Sequence, residues 1–277
     1  MRIKTKELFF VLPLAFLLVV VVIIPFVRIV TGSLETASIV GLGNYVTAFT
    51  SGAVLRSIRN SLYLSFWSSI LGGVLGFFFA LAISRTRGRA RNILITVNSL
   101  PLTLSGVVVA YGFLALYGGS GVYNGLIRSL GAPASLHVDI RSLTGLVFVY
   151  LIYQIPLMTA LVLSAIFALD PHVEEAARSV GAGRIRVIAS ILLPQLWPAV
   201  LAGFFLLFIN TFGAYATAFA LTGTGVNLIV LRIVSQFSDV GYDPGVANAL
   251  SVLVVVIDTV FVILYRLALG RNQRSRA

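Results

Sequence analysis

The sequence predicts an all-α protein built from six membrane-spanning helices, and three observations carry that expectation. First, 58% of its 277 residues are hydrophobic and only 10% charged, with a mean hydropathy of +1.02, whereas soluble domains average about 25% charged residues. Second, uncharged runs long enough to cross a bilayer recur along the whole chain, separated by short polar segments. Third, the basic residues behind the net charge of +11 fall in short groups at the ends of those runs. That pattern suits topology signals and argues against nucleic-acid binding. There is no cysteine, which excludes disulfides, thiolate metal sites and cysteine nucleophiles. The whole chain, 1–277, reads as a single transmembrane domain.

Arg2, Lys4 and Lys6 precede a charge-free run from Leu8 to Val27, the length a spanning helix requires. It exceeds a typical signal-peptide core and no A-x-A-like site closes it, so a retained first span is expected. From Arg28 to Arg59 the chain is mixed, with Gly41, Gly43 and Asn44 as turn formers. This reads as an external loop with room for a short interfacial helix. Asn60 to Ser84 is uncharged and ends at Arg85, Arg87, Arg89 and Arg91, which makes it a second span ending in the cytoplasm. Its Gly72, Gly76 and Ala80 stand four apart, a stripe that either admits a neighbouring helix or faces lipid. The third span is expected at about 93 to 116, before the glycines at 118, 119 and 121, and is followed by a short external helix.

Arg128 to Arg141 forms a further external loop, and Ser142 to Leu169 a fourth span interrupted by Pro156. A fifth span is expected at about 196 to 221, closed by the turn at Gly223 and Gly225. Asp239, Asp243 and Pro244 lie in the last loop, and a sixth span occupies about 246 to 267. With this layout 14 of the 20 Lys and Arg residues fall on one side, which places both termini in the cytoplasm.

Between spans four and five lies a polar island, Asp170 to Pro194, DPHVEEAARSVGAGRIRVIASILLP. Asp170 suits a helix N-cap and Pro171 a first helical position. Val173, Ala176, Ala177 and Val180 repeat at the spacing of one apolar face, and Glu174 pairs with Arg178 at i, i+4. Gly181 and Gly183 can take the positive φ that ends a helix, after which Arg184 to Leu193 reads as a second helical limb. The island is therefore a helix–turn–helix elbow on the cytoplasmic side.

Catalytic chemistry is not legible. Neither Lys4 nor Lys6, the sole lysines, follows a glycine, so the chain lacks a phosphate-cradling Walker loop. His137 and His172 fall on opposite sides of the membrane and cannot share a metal. No Ser/His/Asp set or carboxylate pair can be assembled. What remains is a set of polar residues within apolar runs, Asn98, Gln154, Asn210, Tyr215, Asn248 and Asp258. Each needs a partner out of water, through either interhelical bonding or contact with a solute. Asp258 alone carries an unavoidable charge cost, and two roles stay open for it, lining a path for a cationic solute or fixing helix packing.

The elbow resembles the EAA signature of membrane subunits in ATP-binding-cassette (ABC) importers: E-A-A, three residues, G, nine residues, I-x-L-P. Glu175, Ala176, Ala177, Gly181, Ile191, Leu193 and Pro194 fill every fixed place. The segments RNSLYLSF (59–66), LPLTLSGVVVAYGFLALYGGSG (100–121) and FGAYATAFALTG (212–223) are similar, more loosely, to permeases for polyamines, iron(III), thiamine or aminoethylphosphonate. The resemblance implies the type I importer permease fold in a bacterial inner membrane. It also implies that Glu174, Glu175, Ala176, Ala177, Arg178, Gly181 and Pro194 couple the chain to ATPase subunits. The implied partners are a second permease, identical or related, two ABC ATPases and an extracytoplasmic solute-binding protein, with membrane lipid around them. No cofactor is expected on this chain, since ATP and Mg belong to the ATPases, and no metal or nucleic acid. With no large domain between the spans, solute capture is expected in another chain. Two other classes stay in view. An ion-coupled transporter predicts several intramembrane carboxylates where only Asp258 stands, and a structural subunit gives no reason for the elbow spacing.

Overall fold

A computed structural model describes residues 16–36, 39–131, 137–170, 183–237 and 242–274, with the single positions Pro13, Pro133, His172, Ser179 and Gly181. Six helical segments are long and apolar enough to cross a membrane: Phe16–Leu34, Gly52–Arg85, Gly106–Ser129, Leu143–Phe167, Ile188–Phe212 and Pro244–Ala268. The expected spans are all present, with several limits moved.

Helix α1, Phe16–Leu34, runs past Arg28 instead of stopping at Val27. Within it Val19–Ile23 is π-helical, and the Ile24 N–H reaches back five residues to the Val19 carbonyl. Pro25 explains this, because a proline ring inside a helix collides with the carbonyl four residues back and a widened turn relieves the collision. A ribbon of β1 (Glu35–Thr36) and β2 (Ile39–Val40) follows, paired Glu35 with Val40 and Thr36 with Ile39. Helix α2, Gly43–Thr50, is the short helix the loop had room for. Its buried Asn44 donates to the Ser33 and Glu35 carbonyls at 3.1 and 2.8 Å, fastening the ribbon.

Helix α3, Gly52–Arg85, starts eight residues before the uncharged run. At 34 residues it is about 50 Å long, so Arg56 and Arg59 extend beyond the roughly 30 Å hydrocarbon core. The expected third span is split. Helix α4, Gly88–Thr103, ends two residues after Pro101, Leu104 and Ser105 are extended, and helix α5, Gly106–Tyr117, resumes from Ser105 as N-cap. After the glycine turn, α6 (Val122–Ser129) is held by Asn124, whose amide donates to the Tyr117, Gly118 and Val138 carbonyls.

Helix α7, Leu143–Phe167, opens where expected, with Ser142 Oγ accepting the Gly145 N–H at 3.0 Å. Helix α8 spans 184–212 as Arg184–Val187, a π-helical turn Ile188–Leu192 and Leu193–Phe212. Again the π-turn ends two residues before a proline, here Pro194. Pro194 and Pro198 therefore lie inside the helix and do not close the elbow. The fifth span also ends sooner than expected, at Phe212, with α9 (Ala216–Thr222) as a separate helix. Gly223 then turns the chain at φ +55°, α10 is Ile229–Gln236, and α11 is Pro244–Arg274. Asp243 caps α11 through the Val246 N–H at 3.0 Å.

The centre of the bundle is the contact of α3 with α7, both of which also meet α8. The glycine stripe of α3 faces this contact and not lipid. A Cβ on Gly72 would overlap that of Gln154, and one on Gly76 would lie 2.6 Å from Met158 Cβ and 2.7 Å from the Ile155 carbonyl oxygen. Close approach of this kind lets backbone and short polar groups bond between helices, and Thr159 Oγ1 donates to the Gly76 carbonyl at 3.2 Å. Helix α11 closes the ring against α8 and α1.

Candidate functional site

The elbow hangs between α7 and α8. Its outgoing side begins at Asp170, whose Oδ1 accepts the His172 N–H at 2.9 Å; the helix expected to start there lies outside the described residues. Gly181 has φ +80°, with nothing within 4 Å of where a Cβ would stand. It holds the positive φ foreseen for the turn, and Gly183 does not. Glu174, Glu175, Ala176, Ala177 and Arg178 lie outside the described residues. The returning limb is anchored by Val187, Leu192 and Leu196, which bury against Phe77, Ile83, Met158 and Val162 of α3 and α7. The turn before exposed Pro194 thus lies between a buried anchor and the span proper.

The six polar candidates divide. Gln154 is 0% exposed, and its amide donates to the Leu207 carbonyl at 2.9 Å and to Thr211 Oγ1. Thr211 Oγ1 also accepts from Ser68 at 3.3 Å, so α3, α7 and α8 are joined through three side chains. Asn98 donates to the Pro156 carbonyl at 3.4 Å and ties α4 to α7. The Asn248 amide lies against Gly32, at a spot where a Cβ would collide with it. These three hold helices together. Asn210 is exposed on α8, Tyr215 is half-buried and stacked on Phe219 at 5.2 Å, and Asp258 is half-buried midway along α11. One carboxylate oxygen of Asp258 is enclosed with no hydrogen-bond partner among the described residues. The structure does not bring these last three into one cluster.

Sequence reasoning missed several polar contacts. Ser61 Oγ accepts the Ile229 N–H at 2.9 Å, and across the same seam the Asn60 amide donates to the Asn227 carbonyl at 3.0 Å and the Asn227 amide to the Ala53 carbonyl at 2.6 Å. The signal was present. Ser57, Ser61, Ser65 and Ser69 also stand four apart, one position out of register with the glycine stripe, and are all buried.

Two interruptions meet inside the bundle. The first is the extended pair Leu104 and Ser105, and the second is Gly213–Tyr215 between α8 and α9. Gly106, just past the first, abuts Thr217, just past the second, so closely that a Cβ would collide with the Thr217 hydroxyl. Tyr150 Oη donates to the Ala214 carbonyl at 3.3 Å. Leu104 and Ser105 are nevertheless exposed. Among the described residues no three His, Cys, Asp or Glu side chains gather as a metal site.

Residues 72–272 match the model of the family described as "Binding-protein-dependent transport system inner membrane component". The chain belongs to that family. This permease is 29% identical to the spermidine/putrescine transport system permease protein PotB of Haemophilus influenzae, across 70% of this chain and 68% of that one. It is 26% identical to the putative 2-aminoethylphosphonate permease PhnU of Salmonella typhimurium, across 84% and 82%. A crystal structure of a bacterial ABC transporter that imports the acidic polysaccharide alginate superposes with a TM-score of 0.76 at 19% identity, covering 96% of this permease and 94% of that chain. The methionine transporter MetNI in an inward-facing form gives 0.61 at 16%, covering 78% and 94%. The protein is therefore a multi-pass inner-membrane permease subunit of an ABC importer, with the all-α fold of that class and no enzymatic activity of its own.

Proposed function

We propose that this permease forms half of a path for a small polar solute and is driven through its elbow by ATPase subunits, with a polyamine as the favoured solute. The paired interruptions carry the path. Non-helical backbone at membrane depth leaves peptide groups without intrahelical partners, which is tolerated only against protein or in a water-filled cavity. The exposure of Leu104 and Ser105 supports the second setting. A second permease, identical or related, would supply the other wall, and a solute-binding protein the delivery. Both breaks fall within 100–121 and 212–223, the segments that resemble polyamine and phosphonate permeases.

Asp258 supports the choice of a cation. An aspartate at a helix centre costs roughly 2.5–3.5 kcal/mol in lipid, and one of its oxygens is enclosed with no hydrogen-bond partner among the described residues. The test is uptake of radiolabelled spermidine by membrane vesicles containing the whole importer, with and without internal ATP. ATP-dependent uptake is expected to fall at least about tenfold in Asp258→Asn, since the amide keeps shape and hydrogen bonding but loses the charge. Unchanged uptake in that variant rejects the path role of Asp258, and uptake driven by an ion gradient without ATP rejects the ATPase-driven mechanism.

A further inference from the structure

Arg91 holds its guanidinium 4.3 Å above the ring of Phe167. The two residues come from different helices, Arg91 from the first turn of α4 and Phe167 from the last residue of α7. Phe167 is three positions before Asp170, where the elbow begins. The opposite limb of the elbow shares an apolar cluster with α4, since Leu94 and Ile95 pack on the cluster to which Val187 and Leu192 belong. The beginning of α4 thus touches α7 just before the elbow and shares an apolar cluster with the returning limb. Its other end, about 24 Å away by helix length, is the break at Leu104 and Ser105 that abuts α9 through Gly106 and Thr217. Between the two ends, the Asn98 bond to the Pro156 carbonyl holds α4 on α7.

We propose that Arg91 is a positioning residue that clamps α4 to the elbow through Phe167, so that α4 transmits elbow displacement to the helix break. The inference rests on the elbow being the ATPase-coupling element. A cation on a ring face is strengthened when partly withdrawn from water, and Arg91 is partly buried. The pair is also specific to this role. A positive charge at 91 would serve topology equally well with no ring beneath it, whereas the Phe167 ring contributes only through the contact.

Because the chain has no cysteine, Ser105→Cys provides a single reporter at the break. The complex is purified with the ATPases that accompany it, and maleimide labelling of residue 105 is compared without nucleotide and after trapping with MgATP and vanadate. The labelling rate is expected to change on trapping in the otherwise unaltered permease. In Arg91→Ala and in Phe167→Leu that change should shrink by about two- to fivefold, with ATP hydrolysis retained and Arg91→Lys intermediate. The double variant should be no worse than either single one, as for two halves of one contact. The inference is overturned if both single variants keep the full response, if their effects add, or if residue 105 does not respond to trapping. Phe167→Leu keeps the test open should Arg91→Ala fail to insert. Glu175→Ala separates the two levels. A full response there rejects the coupling reading itself, while loss there with full responses in the Arg91 and Phe167 variants rejects only the clamp.

Discussion

At the scale of single residues, the space around a glycine determines what it tolerates. Gly76 faces Met158 Cβ and a backbone carbonyl, neither of which can swing away, whereas Gly112 has nothing within 4 Å of its missing Cβ. Gly76→Val is therefore expected to lower the stability of the detergent-solubilised permease by about 1–3 kcal/mol through overpacking, and Gly112→Val to leave it within about 0.5 kcal/mol. Chemical denaturation followed by circular dichroism reads both. Equal effects would mean that the stripe does not set the α3–α7 distance. The sequence pattern foresaw the stripe but left its partner open, since spacing alone does not say what stands opposite. The polar candidates show the same limit: Gln154 and Asp258 are indistinguishable as polar interruptions of apolar runs, and each has an enclosed oxygen without a partner among the described residues, yet the Gln154 amide N–H groups join α7 to α8 and, through Thr211, to α3.

Among the elements, most of the elbow's outgoing limb lies outside the described residues, but its turn was legible, because the motif sets a glycine at a fixed offset where the chain must solve a backbone problem. At φ +80°, Gly181 does so. Replacing it with Val should add about 1–3 kcal/mol of local strain and reduce both transport and stimulation of the ATPases with the protein still inserted. Gly183→Ala, at a residue without positive φ, should leave both intact. Undiminished transport in Gly181→Val would remove the turn from the coupling mechanism. Helix limits were less legible. Hydropathy reports which residues tolerate hydrocarbon, not where hydrogen bonding stops, so α3 exceeds its uncharged run at one end. Proline was ambiguous for a related reason. Pro101 ends α4 two residues later, while Pro25 and Pro194 sit within helices that a π-turn has prepared for them. A lone residue type does not reveal which outcome its neighbours permit.

For the molecule as a whole, the sequence prescribes a topology that can be measured directly. Single cysteines at Ser179 and Ser275 should be shielded from an impermeant thiol reagent in intact cells, and one at Ser135 should react. Labelling of residue 179 from outside would invert the orientation and remove the elbow from the reach of ATP. The arrangement of helices also bears on how the chain is made. Helix α1 is threaded into the membrane first, yet the surface that receives Gly32 is Asn248, more than two hundred residues later. Even in the finished fold the α1 span is only 6% buried, and until translation reaches α11 it lacks the Asn248 contact, while the ribbon and α2 lack the cover that Gly245 and Val246 give to Asn44 and Ala48. A nascent chain arrested at residue 243 should accordingly be cut by protease within 35–50, and release of the full chain should abolish that cleavage, making the last helix to emerge the one that locks the first in place.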